Sequence, residues 1–180
     1  MNSRSDSALV QLRRACRTEH DGVDQIFSAF DLQDQISYGR FLAAHARVVP
    51  VLERWLRDFG VAEGTDWRAA ALSRDLQALQ AVQPDEILWN PKTHDGYAVG
   101  VLYVLEGSRL GGKVLAAKVS SALPKEYLSS GHSNGGWPLF LGRLQNILEA
   151  ADESYKAEVW AGAREAFALF ASAGRAALSA

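Results

Sequence analysis

One cysteine and five prolines in 180 residues, with a net charge of only −2, remove several classes of protein at once. A lone Cys16 allows no internal disulfide and no cysteine-based metal site. The near-balance of charge gives no push toward nucleic acid or an anionic membrane surface. No uncharged apolar run approaches the roughly 20 residues that span a bilayer. The opening "MNSRSDSALVQL" lacks the apolar stretch of a secretory signal, so a cytoplasmic location is the default expectation. Alternating strand patterns flanked by hairpin turns are missing too, which argues against a β or α/β domain.

What is present has helical period. Nearly half of the residues are apolar, enough to exclude disorder and to build one core from residues 1–180. Glycine and proline punctuation is confined to Gly60–Gly64, "QPDEILWNP" and "SSGHSNGGWP". Between these the spacing predicts helices over about 7–30, 34–59 (with Pro50 bending it), from after Thr65 to before Pro84, 93–122, a short turn from Pro124, then 137–150 and 153–178. The expectation is a single-domain, all-α, multi-helix fold.

The predicted fourth helix carries "YVLEGSRLGGKVL", in which Gly107, Gly111 and Gly112 fall within six residues. Each glycine costs a helix interior about 1 kcal/mol relative to alanine. Gly107 and Gly111 share a face, and Gly100 lies close to the same line. Tight helix packing is one reading. A broad, flat ligand lying on bare backbone is the other. Glu106, Arg109 and Lys113 exclude a membrane dimer interface.

On the first helix, Leu9, Leu12, Cys16, Val23, Phe27 and Phe30 form an apolar stripe, and Arg13, Arg17, His20 and Asp24 line up beside it. A histidine at that border can offer a ring nitrogen to a metal, with a carboxylate four residues on to orient it. The arginines can pair with ligand carboxylates. The plain reading is a solvated face with one half-buried histidine. One protein ligand, a flat partner and a cluster of arginines fit heme better than zinc, which takes three or four protein ligands. His45, His94 and His132 have no short metal-binding spacing with one another, and His132 falls in a Gly/Ser loop where exposure is expected.

These segments resemble a known family. "LRRACRTEH" is similar to the N-terminal helix of the heme oxygenases, and "YVLEGSRLGGKVL" to their glycine-rich distal helix, with the closest likeness to the bacterial, phytochrome-associated, biliverdin-producing branch. The resemblance implies an all-α heme sandwich. His20 would be the axial iron ligand. The backbone of Gly107, Gly111 and Gly112 would lie over the distal face and leave room for O2, with Gly107, Ser108 and Gly111 at the reacting side. It implies Arg13, with Arg17 one turn on, near the propionates. It matches Arg143 of "FLGRLQNILE" to a later basic helix and Phe167 of "REAFALF" to a distal-pocket aromatic, although core packing is the plainer role for Phe167. Many members carry Gly-Asp where this chain has Gly107-Ser108. A serine hydroxyl holds water but no charge.

The implied activity is cleavage of heme to biliverdin, CO and ferrous iron, with heme as both cofactor and substrate. Electrons must come from outside, from a ferredoxin or a reductase, because no flavin or nicotinamide fingerprint occurs. A bacteriophytochrome is a possible acceptor of the product. Competing readings are a heme-storage protein without turnover, a thiamine-degrading enzyme on a similar fold with Cys16 as nucleophile, and a plain helical interaction module.

Overall fold

The computed structural model describes residues 7–61, 67–131 and 136–180. The described residues form helices with no strand: α1 Ala8–Ala15, α2 Arg17–Phe27, α3 Gln35–Phe59, α4 Ala69–Ala78, α5 Asp95–Ala116, α6 Glu126–Ser129, α7 Gly136–Ala150 and α8 Glu153–Leu178. The expected all-α architecture is therefore what is seen. None of the described helices is long and apolar enough to cross a membrane. His132 lies outside the described residues.

Local chemistry sets the ends of the helices. Asp34 caps α3 by accepting the Ser37 N–H at 2.8 Å, and Gly60 closes it in the left-handed region at φ 82°. Asp152 caps α8 through the Tyr155 N–H at 2.8 Å. α3 runs through Pro50. α4 ends earlier than its periodicity predicts. The Ala81 N–H donates to Leu76 O and the Gln80 N–H to Gln77 O, with Gln80 at φ 55°. This is the glycine-type helix stop carried by a non-glycine residue, so the sequence gives no warning of it.

The predicted first helix is two. Arg164 of α8 donates from Nε and Nη2 to the Ala15 carbonyl at 3.0 and 2.8 Å. That carbonyl is drawn toward α8, and the chain breaks at Cys16 before resuming as α2. Arg164 also pairs with Glu19 at 3.3 Å, which ties the start of α2 to α8. α2 itself has no fully buried residue.

The core is one cluster. Leu42, Val48, Val49, Leu52 and Leu56 of α3 meet Val101 and Leu105 of α5 and Val159, Ala163 and Ala166 of α8. α5 and α8 cross most closely. A Cβ on Gly100 would lie 2.1 Å from Val159 O, and one on Gly162 would lie 2.0 Å from Tyr97 O. Gly100 therefore belongs to helix packing. Its place on the expected ligand-facing line is corrected, because the backbone of α8 occupies that side.

Candidate active site

An apolar cavity of about 390 Å³ is walled by α2, α3, α5, α6, α7 and α8, and its lining includes His20, Phe167, Gly107, Ser108, Gly111 and Gly112. Residues distant in sequence are thus brought to one place. α5 stays helical through its glycines. Gly111 is exposed, and a Cβ there would meet nothing within 4 Å. At Gly107 it would approach the Trp137 ring at 3.4 Å. Gly112 also packs inward, where a Cβ would stand 3.3 Å from the Leu128 carbonyl of α6. Close packing accounts for Gly100 and Gly112, whereas the backbone at Gly111 is open.

His20 presents a ring whose side chain is 56% exposed. Its Nδ1 faces Asp24 Oδ2 at 3.3 Å and Asp21 Oδ1 at 3.7 Å. A nitrogen engaged by carboxylates leaves Nε2 for a metal, as in a carboxylate–histidine–metal arrangement. Phe167 of α8 meets the ring edge-on at 5.7 Å and fixes its plane. Among the described residues no three His, Cys, Asp or Glu side chains converge as a metal site. Heme brings its own nitrogen ligands and asks the protein for a histidine and apolar walls, which this cavity offers in His20, Val23, Phe27 and Leu115. The donor set therefore fits heme.

The arginines are placed differently from Phe167. Arg13 is exposed and stands beside the hydroxyl of Tyr103, which lines the cavity. Burial pushes the Tyr103 hydroxyl up, and the Arg13 guanidinium pulls the other way. Arg17 is exposed and 3.6 Å from Asp21. Arg143 is exposed on α7. None of the three is among the residues lining the cavity.

Sequence reasoning missed the cavity's polar wall. Arg68, at the start of α4, is 2% exposed and donates from Nη2 to Ser108 Oγ at 2.6 Å and to Leu105 O at 3.1 Å. Its guanidinium lies over the Tyr127 ring, 5.1 Å from the centroid. Nothing about a single arginine in "DWRAAALS" signals this. His45 was more legible: it sits four residues after Phe41 on the apolar face of α3. A carbonyl can only accept, so His45 Nδ1 donates to Phe41 O at 2.9 Å. Burial lowers its pKa to about 4; the Phe41 bond opposes this and the Arg68 charge adds to it, so the ring is neutral near pH 7. Cys16 is 2% exposed, and burial, helped by Glu19, pushes its thiol up to about 11. A thiol held in that state is a poor nucleophile, which counts against thiamine chemistry.

No protein-family model matches the chain. It is 32% identical over 149 residues to a heme oxygenase of Xanthomonas campestris pv. campestris (strain 8004), an alignment covering 76% of this chain and 88% of that relative. The fold matches the crystal structure of the NO- and CO-bound heme oxygenase of Neisseria meningitidis with a TM-score of 0.74, over 97% of this chain and 94% of that one, at 21% identity. The chain belongs to the heme oxygenase family.

Proposed function

We propose that this protein, acting as a single domain, cleaves heme to biliverdin, CO and ferrous iron, using O2 and electrons from an external donor. The observation that carries the reading is the meeting of His20, with Asp24 at its Nδ1, and the bare backbone of Gly111 in one apolar cavity. Heme bound there supplies the O2-binding iron and is itself the substrate.

The chain's own residues have distinct tasks. His20 Nε2 would hold the heme iron, and Asp24 would keep the ring in the tautomer that leaves that nitrogen free. Phe167 keeps the ring in plane. Gly111 lets the macrocycle approach α5 without a side chain between them, and Gly107 gives space beside Trp137. Ser108 and the nearby carbonyls hold the waters that carry protons. Arg13, beside Tyr103 at the cavity wall, is one of the three expected propionate partners, with Arg17 and Arg143 the others. A ferredoxin or a reductase provides electrons. The enzyme works in the cytoplasm, and the resemblance of its two motifs favours the phytochrome-associated branch, with a bacteriophytochrome as acceptor of biliverdin.

A second reading, heme storage without turnover, is favoured by one feature: Ser108 carries no charge where many members have aspartate. Titration with hemin followed by ascorbate in air separates the two. Turnover gives a Soret band saturating near one equivalent, then its decay into a broad red-absorbing bilin band. Storage gives a Soret band that survives the reductant. No spectral change on adding hemin would overturn both.

A further inference from the structure

Arg68 lines the cavity away from the His20–Asp24 pair, and the roles assigned above leave it unused. Glu53 accepts the Arg68 N–H at 2.8 Å and the Ala69 N–H at 3.0 Å, which fixes the backbone at the start of α4. From there the side chain reaches α5. Its Nη2 is shared between Ser108 Oγ and Leu105 O, and its Nε is buried with no hydrogen-bond partner. The guanidinium's partners are a hydroxyl, a carbonyl and a ring, none with a full charge. A guanidinium keeps its charge when buried, and its field is strong where water is excluded. That field reaches the cavity wall, where it adds to burial in keeping His45 neutral.

Ser108 is constrained by the same contact. Its single proton goes to Leu105 O at 2.7 Å while it accepts from Arg68. Toward the cavity the hydroxyl therefore has a lone pair to offer and no proton.

We infer that Arg68 is a positioning residue that makes this corner of the cavity select small anions over neutral ligands of bound heme and holds Ser108 as an acceptor. The inference rests on the heme reading above. An anion held in this corner would be stabilised by a fixed cation without reorganisation.

The test uses the ferric heme complexes of wild type, Arg68→Gln, Arg68→Lys and Ser108→Asp, each titrated with azide and, separately, with imidazole, read from the visible spectrum. Arg68→Gln is expected to weaken azide by about tenfold or more, a difference of about 1.4 kcal/mol, while imidazole stays within about twofold. Arg68→Lys keeps the charge and should hold azide within about threefold of wild type. Ser108→Asp leaves Arg68 in place, sets a carboxylate beside it, and should weaken azide as Arg68→Gln does; it decides the matter if Arg68→Gln does not fold. Equal loss for azide and imidazole would mean a structural role only and would overturn the inference, as would unchanged azide affinity in both Arg68→Gln and Ser108→Asp. A wild type with no Soret band removes the heme reading and this inference with it, a result distinct from an intact Soret band with unaltered azide binding.

Discussion

Two alanine substitutions in one helix should move stability in opposite directions. At Gly100 the added Cβ would lie 2.1 Å from Val159 O, 2.7 Å from Ala163 N and 2.9 Å from Val159 C, all backbone atoms that no rotamer change can move. Ordinary contact begins at 3.4 Å, so α5 and α8 would have to part by more than 1 Å. Overpacking of this kind costs about 1–3 kcal/mol, and a clash with helix backbone belongs at the upper end. Alanine returns about 1 kcal/mol of helix propensity, which leaves Gly100→Ala about 2 kcal/mol less stable. For a domain of this size that lowers Tm by about 4–8 °C. At Gly111 nothing lies within 4 Å, so the propensity gain stands alone: up to about 1 kcal/mol, or about 2–4 °C upward. The same methyl intrudes on the cavity and should slow heme breakdown. Thermal unfolding of the two variants without heme, followed by circular dichroism at 222 nm, reads both signs. A rise in Tm for Gly100→Ala would refute the close crossing of α5 and α8. A fall for Gly111→Ala would mean that its backbone is already covered.

His20→Ala should lose the Soret band's intensity and all turnover while Tm in the absence of heme moves by less than about 2 °C, since the ring is more than half exposed; retained turnover would refute the axial role. The buried neutral His45 gives stability an acid limb. Its folded pKa, about 4, is below the ordinary 6.5, so between those values the unfolded chain binds the extra proton and stability falls as pH falls. The loss from this group is about 3 kcal/mol by pH 4 and levels off only below it, once the folded-state ring is itself protonated. Urea unfolding from pH 7 to 4 should show a shallower acid slope in His45→Gln than in wild type; parallel slopes would refute the depressed pKa of His45.

Legibility in the sequence followed how local each cause was. The limits of α8 were readable because Asp152 caps it and the apolar period continues to Leu178. The break at Cys16 was not, since its cause is Arg164, 149 residues beyond Ala15. The early stop of α4 depends on a left-handed glutamine, which no residue preference announces. His20 and the Gly107–Gly111 pair, which line one cavity, stood out because helical spacing sets each along one face of its helix. Gly100 was grouped with them for the same reason, and it took the position of α8 to show that it serves packing. Phe167 was recognised by resemblance, and the ring contact with His20 gives it a place at the cavity beyond the core role. Arg68 was invisible, because its partner Ser108 lies 40 residues away on another helix.

The modest burial of α2 bears on how the catalytic cycle can end. This helix has no fully buried residue and is held to α8 by the Glu19–Arg164 pair and by Ile26 and Phe27 beside Gly174, with Val23 packed on the core. On the proposed reading, the bond from His20 to the iron adds a second anchor for as long as the ring of heme is intact and its metal is held. Were the macrocycle cut and the iron lost, that anchor would go, and the proximal wall would be held by its protein contacts alone. Affinity is then tied to the integrity of the substrate, and the wall that grips an intact porphyrin is the one that loosens around an open tetrapyrrole.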